Sequence, residues 1–231
     1  MTLTITRKKE LLKFLKSLDI ELNNLQLLNI ALTHSSYTQK DPFLSNERLE
    51  FFGDAVLKLY ISEYLMDKFP QYPEGKLSNL CAYVISEKVL SSIATKLSIK
   101  KYLLVGKNEK KDMPQSILAD ALEAILAVIY YECGEVLTRN FIVKHWTSYI
   151  QSANLSFKQQ NYKAILQEYT QGNKIGLPTY KVVSEVGPDH NKNFEMTVLL
   201  NGKEISKGGG KTKKEASQNA AKNALLYLNV I

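Results

Sequence analysis

The chain has 231 residues, of which 45% are hydrophobic, so it is long enough to bury one large core or two smaller ones. Its 30 basic residues outnumber its 23 acidic residues and give a net charge of +7, which favours a polyanion over a membrane surface as its partner. The spacing of its two cysteines, Cys81 and Cys133, indicates neither a disulfide framework nor a structural zinc site, as is typical of a cytoplasmic protein.

The N-terminal segment and the longest apolar stretch both argue against secretion or membrane insertion. The segment MTLTITRKKELLKFLK carries its charges within an amphipathic stretch that no apolar run follows, unlike a secretory signal. Residues 117–131 are few for a membrane span and include Asp120 and Glu123. We therefore expect a soluble, cytoplasmic protein without membrane contacts.

Residues 7–151 show the periodicity of amphipathic helices and essentially no strand-like alternation. Examples are KKELLKFLKSL, NLQLLNIAL, LCAYVISEKVLSSIATKL and SILADALEAILAVIYY. Turn signals separate these helices at Asp41-Pro42, residues 70–75, residues 106–114 and Gly134. The pattern predicts an all-α domain over residues 1–152, and the polar, aperiodic stretch QSANLSFKQQ predicts a linker over residues 153–160.

The periodicity changes in residues 161–231. The helical segment YKAILQEYTQ is followed by TYKVVSEV, NFEMTVLLN and KEISKGG, which alternate apolar and polar residues as half-buried strands do. The alanine-rich segment TKKEASQNAAKNALLYL predicts a closing helix. We therefore predict a small α+β domain of order α-β-β-β-α, in which one sheet buries one face against two helices.

The segment NERLEFFGDAVL combines three acids with a mostly apolar helix. At about 100° of rotation per residue, Glu47, Glu50 and Asp54 fall within an arc of roughly 60°. Like charges in apolar surroundings repel one another and lose hydration, so they need protons, basic partners or a cation. For this helix taken alone, a solvated acidic face is also consistent with the pattern.

The later helix SILADALEAILAVIYY has only two charged residues, Asp120 and Glu123, one turn apart on one face. If the two acidic stripes face each other, Glu50 and Asp54 converge with them, and such oxygen ligands suit Mg²⁺ or Mn²⁺. Taken together, the two helices favour a metal site over a solvated face. The three histidines fall in no metalloprotease or triad spacing and indicate no zinc or nucleophile chemistry.

Residues 161–231 contain ten lysines and six acids. In GGGKTKKEASQ, Thr212 and Glu215 have the spacing of a capping box, so Lys211, Lys213 and Lys214 surround the start of the last helix. Lysines at this end oppose the helix dipole, which makes sense if a phosphate backbone supplies the compensating anion. The alternative is an ordinary solvated lysine face. No aromatic ladder accompanies them, so the pattern favours a helical phosphate lattice recognised by shape.

NERLEFFGDAVL and LADALEAILAVIY together resemble the two acidic helices of bacterial ribonuclease III. YKAILQEYTQ, GPDHNKNF and GGGKTKKEASQNAA resemble the double-stranded RNA-binding domain that follows in that family. The resemblance implies an all-α endonuclease domain followed by a small α-β-β-β-α RNA-binding domain. It also implies Mg²⁺ at the acids, with Mn²⁺ as a possible substitute, and no small-molecule cofactor.

The resemblance implies roles for individual residues of the first domain. It assigns catalysis to Glu50, Asp54, Asp120 and Glu123, of which Glu50, Asp120 and Glu123 are metal ligands. Supporting acids, at the metal site or against RNA, would be Glu47 and Glu74. At the interface of a homodimer, Phe51 would insert into the partner subunit.

In the second domain, the resemblance assigns RNA contacts to Gln167 and Gln171 on the first helix and to His190 in a loop. It assigns phosphate contacts to Lys211, Lys213 and Lys214 at the start of the last helix. These residues would grip double-stranded RNA through 2′-hydroxyl and phosphate groups over roughly 16 base pairs. Surface glutamines and a loop histidine are commonplace, so the family match alone carries these assignments.

The expected activity is that of an endoribonuclease that hydrolyses double-stranded RNA and leaves 5′-phosphate and 3′-hydroxyl ends with short 3′ overhangs. The resemblance implies roles in processing rRNA precursors and mRNA. Two alternatives remain at this point. One is an RNA-binding scaffold without turnover, and the other is an enzyme that acts on small phosphate esters. The complete set of four acids favours the nuclease, because a scaffold need not retain mutually repelling acids in a core.

Overall fold

A computed structural model of the protein describes residues 3–38, 41–160, 162–188 and 192–230, except for the side chains of 156–160. The chain forms two compact units, Met1–Ala153 and Asn154–Ile231. The predicted linker, residues 153–160, is helical. Its role as a linker stays a prediction.

The first unit is helical, as predicted. A short parallel bridge between Thr33 and Leu104 ties two of its loops together. The elements of this part of the chain are α1 (Ile5–Leu18), α2 (Leu25–Ala31), α3 (Glu47–Lys68), α4 (Glu74–Val84), α5 (Glu87–Lys96), a 3₁₀ turn (Ile99–Lys101), α6 (Lys107–Lys111) and α7 (Gln115–Gln160).

Helix α7 consists of two helical segments joined by a kink at Gly134. There the backbone adopts φ 74° and ψ −174°, a conformation that glycine reaches without the steric cost of a side chain. The sequence predicted a break at this glycine, and the structure confirms it. The break redirects the chain at the end of the acid-bearing segment, so that the residues after it form a separate helical surface.

The segment of α7 before the kink is the centre of the first unit. From Ala124 to Ile129 every side chain is at most 1% exposed. Burying a side chain the size of leucine or valine stabilises a fold by about 1.5–3 kcal/mol, so this segment contributes strongly to the core. After the kink, the buried Trp146 indole donates a hydrogen bond to the Val84 carbonyl oxygen at 3.0 Å. Within the described residues, no helix has the length and apolar character needed to cross a membrane.

Helices α3 and α7 meet at Gly53. A Cβ atom on Gly53 would overlap the carbonyl oxygen and carbonyl carbon of Glu123, so only glycine permits this backbone approach. One residue earlier on α3, the Phe52 ring stacks on Tyr131 at a centroid distance of 4.8 Å. These contacts fix both the separation and the rotation of the two helices that carry the acids.

The second unit has the predicted order of elements. Its sheet is an antiparallel meander in the order β1-β2-β3, with an irregularity in β1 between Val182 and Ser184. Its core is formed by Leu166, Val198, Ala220, Ala221, Ala224 and Leu225. The elements are α8 (Tyr162–Gly172), β1 (Thr179–Val186), β2 (Asn193–Leu200), β3 (Lys203–Gly210) and α9 (Lys213–Tyr227).

The alanine-rich helix α9 lies very close to strand β3. A Cβ atom on Gly208 would overlap the backbone nitrogen of Ala220, and one on Gly210 would lie 2.6 Å from that of Ala216. The Ser206 hydroxyl also donates a hydrogen bond to the Ala220 carbonyl oxygen at 2.7 Å. The glycines and alanines of this unit therefore serve helix-on-sheet packing, and they fix the start of α9 against the end of β3.

We predict that Gly53→Ala lowers the free energy of unfolding by about 3 kcal/mol or more, because the new methyl group must push α3 away from the Glu123 backbone. The matched control is Gly75→Ala in α4, where an added Cβ meets no atom within 4 Å. This control should be neutral or stabilising by up to about 1 kcal/mol, since alanine favours helix. Urea unfolding of both variants measures the difference, and equal midpoints would contradict the close contact.

Candidate active site

The acids of α3 occupy the first turns of the helix. Asn46 precedes the helix and adopts a helical φ of −73°, so the stripe of Glu47, Glu50 and Asp54 begins directly after it. Carboxylates near a helix N-terminus are stabilised by the helix dipole, which favours this end of α3 for acids. Helix α3 thus presents its acids beside α7 at the level of the Gly53 contact.

Three of the predicted acids converge in the structure. Glu50, Asp120 and Glu123 each offer a carboxylate oxygen, and these oxygens all lie within 4.8 Å of one another. All three side chains are partly buried. Hard oxygen donors at this spacing, without histidine or cysteine, fit a Mg²⁺ or Mn²⁺ ion. They are the three residues that the sequence analysis assigned as metal ligands.

The cluster is electrostatically unfavourable when it holds no cation. Burial, followed by the charges of Asp120, Glu47 and Asp54, raises the pKa of Glu50 to about 7. Burial, followed by Asp54, Glu50 and Asp120, raises the pKa of Glu123 to about 8. A bound divalent cation would reverse these effects, because it favours the ionised carboxylates. These three carboxylates therefore fit a divalent cation, which would offset the repulsion between them.

The third carboxylate, Asp120, has neighbours that act on it in opposite directions. Burial and the charge of Glu87 raise its pKa, whereas the nearby His34 lowers it. The His34 imidazole is held by its Nδ1 atom, which lies 2.8 Å from the Ser36 hydroxyl oxygen, and that hydroxyl accepts a hydrogen bond from the Gly106 backbone. The spacing of His34 in the sequence gave no sign of this proximity, which tertiary packing creates.

The other predicted acids lie outside the three-oxygen cluster. Asp54 is exposed, although its charge raises the pKa values of Glu50 and Glu123. Glu47 is exposed and accepts a hydrogen bond from the Ser45 hydroxyl at 3.4 Å. Glu74, in the first turn of α4, is exposed and accepts one from Ser78 at 2.6 Å. The structure thus separates a compact set of three acids from a more exposed outer set.

Gly53 shapes the candidate site, although its sequence motif was not recognised for this role. Glycine in a helix interior costs about 1 kcal/mol relative to alanine, so its presence inside NERLEFFGDAVL was a usable signal of close packing. Its partner atoms belong to Glu123, a residue of the cluster itself. The glycine therefore determines how closely the acids of the two helices approach.

The residues assigned to RNA contacts lie on the surface of the second unit. Gln167 and Gln171, one turn apart on α8, are both exposed. His190 lies outside the described residues. The structure thus leaves both glutamine side chains accessible to a ligand along one face of α8.

The three lysines assigned to phosphate contacts surround the start of α9. Thr212 caps this helix by accepting a hydrogen bond from the Glu215 backbone at 3.1 Å, and Lys211, Lys213 and Lys214 are exposed around it. This position confirms the predicted helix start. Lys213 lies 3.6 Å from a carboxylate oxygen of Glu185, an exposed ion pair that contributes little to stability. Because this pair is weak and exposed, an anion could compete with Glu185 for Lys213.

Both units match known protein families. Residues 24–150 match the family described as ribonuclease-III-like, and residues 162–228 match the double-stranded RNA binding motif. The helical fold with its carboxylate cluster and the following α-β-β-β-α unit thus define a nuclease-type domain followed by an RNA-binding module. The fold class predicted from the sequence is confirmed.

Individual relatives agree with this assignment. Ribonuclease 3 of Borreliella afzelii is 42% identical over 224 residues, which cover 95% of this chain and 91% of that protein. Ribonuclease 3 of a Nitratiruptor species is 41% identical over 223 residues, covering 95% and 97%. A solved nuclease domain of Campylobacter jejuni ribonuclease III is 39% identical with a TM-score of 0.54, covering 58% of this chain and 97% of that chain. This chain belongs to the ribonuclease III family.

We predict that the metal-free protein loses stability as the pH rises from about 4.5 towards 8. The ordinary pKa of glutamate is 4.5, whereas those of Glu50 and Glu123 in the folded chain are about 7 and about 8. The folded chain therefore binds more protons than the unfolded chain within this window. The stability that these protons contribute is lost as the pH rises. Thermal unfolding in EDTA across this range measures the loss.

Glu123→Gln removes one of the three carboxyl groups whose pKa is raised, so the fall in melting temperature between pH 5 and 8 should shrink by at least about 2–4 °C. The matched control is Glu135→Gln, an exposed position on α7 beyond the kink, which should keep the wild-type slope. Equal slopes for all three proteins would show that Glu123 does not carry a raised pKa.

Proposed function

We propose that this protein is a divalent-metal-dependent endoribonuclease that cleaves double-stranded RNA. The single observation that carries the proposal is the convergence of Glu50, Asp120 and Glu123 within 4.8 Å, in a chain that also contains a double-stranded RNA binding motif. By its family, the protein processes structured RNA, including rRNA precursors and mRNA. We place it in the cytoplasm, where its two unpaired cysteines remain reduced.

The carboxylates hold the catalytic cation. When bound, Mg²⁺ or Mn²⁺ supplies Lewis-acid chemistry that polarises the phosphate and lowers the pKa of water. Glu50, Asp120 and Glu123 would hold this ion through their ionised carboxylates. Asp54, exposed and close enough to raise the pKa of Glu123, would orient the attacking water. The attacking water gives up a proton as its oxygen bonds to phosphorus, the bond from phosphorus to the 3′-oxygen breaks, and the departing 3′-oxygen takes up a proton, leaving 5′-phosphate and 3′-hydroxyl ends.

Cleavage of end-labelled duplex RNA tests this function. We expect the wild-type protein to cut both strands with Mg²⁺ or Mn²⁺ and to be inactive in EDTA. Glu123→Gln should lower the cleavage rate by at least about 100-fold, because it removes one charged ligand from the ion. The control variant Glu135→Gln should cut as the wild type does. Duplex binding without cleavage under any metal would favour an RNA-binding scaffold. Hydrolysis of small phosphate esters alone would favour an enzyme that acts on such esters.

We also propose that the protein acts as a homodimer with one acid cluster for each strand of the duplex. The solved Campylobacter jejuni relative is described with a region involved in dimer formation. Among the described residues, Phe51 on α3 is the most exposed of the large hydrophobic side chains, at 81%. Further along the same helix, a cavity of about 530 Å³ lies between α3 and α4. It is lined by apolar residues that include Leu65, Met66, Leu77, Cys81 and Ile85.

A twofold axis crossing α3 would bring Phe51 of each protomer to the cavity of its partner, because an isologous interface is self-complementary. We predict that Phe51→Ala raises the dimer dissociation constant by at least about 10-fold, since it removes an aromatic side chain that the proposed interface would bury. Sedimentation equilibrium measures the change. Ile5→Ala, at a position on α1 that is 76% exposed, is the control and should leave dimerisation unchanged. Unaltered dimerisation of the Phe51 variant would exclude this interface.

The RNA-binding unit supplies affinity through its lysines. We predict that Lys213→Ala weakens duplex binding about equally for all sequences and lowers the slope of log Kd against log salt concentration by about one, because the variant neutralises one phosphate fewer. The matched control is Lys203→Ala, because Lys203 begins β3 and lies at the end of that strand remote from the start of α9. Fluorescence anisotropy across a salt series distinguishes the two variants. Identical salt slopes would remove Lys213 from the interface.

A further inference from the structure

Asn46 is a buried polar residue with an unexplained side chain. It is 1% exposed, and neither its Oδ1 nor its Nδ2 atom has a hydrogen-bond partner in the described part of the chain. Its backbone is fully used, since its nitrogen donates to the Thr33 carbonyl oxygen at 2.8 Å and its carbonyl oxygen accepts from the Glu50 nitrogen at 2.8 Å. The unpaired atoms therefore belong to the side-chain amide alone.

Leaving these atoms unpaired destabilises the fold. A buried donor or acceptor without a partner costs about 1–3 kcal/mol, and an apolar side chain of the same shape would avoid that cost. Asparagine at a helix N-cap ordinarily accepts a hydrogen bond from the first turn, but Asn46 makes no such bond to α3. The residue thus fulfils neither of its usual structural roles, which points to a ligand as the missing partner.

The position of Asn46 indicates which ligand this is. Because its backbone is helical, Asn46 lies one turn before Glu50, on the stripe that continues to Asp54. Residues four apart on a helix have Cβ atoms about 5–6 Å from each other. An amide offers both a donor and an acceptor, as water requires, and Mg²⁺ retains several waters when protein carboxylates bind it. The hydration shell of an ion bound at Glu50, one helical turn from Asn46, would be a chemically matched partner for this amide.

We propose that Asn46 is a positioning residue whose amide holds water of the hydration shell of the ion bound by Glu50, Asp120 and Glu123. The inference rests on the metal-dependent function proposed above. Asn46 contributes no charge and no direct ligand. It orders the water on the α3 side of the cluster and so raises affinity for the ion, as partners of metal ligands commonly do.

Titration of the full-length protein with Mn²⁺, followed by electron paramagnetic resonance without RNA, tests the proposal. Asn46→Leu should lower Mn²⁺ affinity by about 10-fold or more. Its melting temperature in EDTA should equal or exceed that of the wild type, because the unpaired amide is gone. An unchanged Mn²⁺ affinity would overturn the inference.

The matched control is Asn29→Leu, at a second buried asparagine whose side chain is satisfied. The Asn29 Oδ1 atom accepts a hydrogen bond from Arg7 Nε at 2.8 Å. This variant should lose melting temperature while keeping wild-type Mn²⁺ affinity, the opposite of the result expected for Asn46→Leu. The same pattern of changes in both variants would indicate a general effect of buried leucine and would overturn the proposal.

A second variant covers the case in which Asn46→Leu fails to fold. Asn46→Asp keeps the size of the side chain and adds a buried carboxylate, which should lower the melting temperature in EDTA. If the ion and its waters lie beside residue 46, Mn²⁺ should raise the melting temperature of this variant by more than it raises that of the wild type. An equal or smaller rise would contradict the proposal.

The failure of this inference differs from the failure of the proposed function. If the wild type does not bind Mn²⁺, or if Glu123→Gln binds it equally well, the metal centre itself is wrong. If the wild type binds, Glu123→Gln does not, and Asn46→Leu binds as the wild type does, then only the role of Asn46 is wrong.

Discussion

The backbone contact between Gly53 and Glu123 is the constraint on which the proposed active site depends. Helices that carry ordinary side chains at their crossing point pack about 8–10 Å apart, whereas a glycine allows a closer approach. At Gly53 an added Cβ would overlap the Glu123 carbonyl group. Because Glu50 lies one turn before this contact on α3 and Asp120 one turn before it on α7, the same approach brings both acids to Glu123. The separation of the carboxylates is therefore a property of the helix pair rather than of flexible side chains.

The close approach of these carboxylates is electrostatically unfavourable in the folded, metal-free protein. Partial burial and mutual repulsion raise the pKa values of Glu50 and Glu123 far above that of free glutamate. The highly buried segment of α7 before the kink offsets the cost through apolar packing. Acids held close together by a rigid core lose little conformational entropy when an ion arrives, which favours tight and geometrically specific binding. The core thus makes possible a site that would be unstable on a more flexible scaffold.

In the RNA-binding unit, glycines also allow two elements to pack closely, and there the contact positions lysines rather than acids. Gly208 and Gly210 allow the alanine-rich α9 to lie against β3, and Thr212 caps the helix directly afterwards. The close approach fixes where α9 begins, and the exposed lysines at that point share this fixed position. In both units, small residues at a packing contact hold charged residues in place. Neither contact adds a charge, yet each determines where charges lie.

The amino-acid pattern was sufficient to predict the fold class of both units, the start of α9 and the break at Gly134. It also predicted that Glu50, Asp54, Asp120 and Glu123 converge, and the structure brings Glu50, Asp120 and Glu123 together. These features follow from periodicity, capping and turn chemistry, which act over a few neighbouring residues. The roles of Gly53, His34 and Asn46 depended on tertiary structure. Gly53 lies against the Glu123 backbone, and His34 lies near Asp120. The Asn46 side chain has no hydrogen-bond partner in the described part of the chain. Likewise, the helix stripe grouped Asp54 with Glu50, but packing left Asp54 exposed. A helical pattern specifies the angle of a side chain around its own axis, and only the packing of a second helix decides its depth and its neighbours.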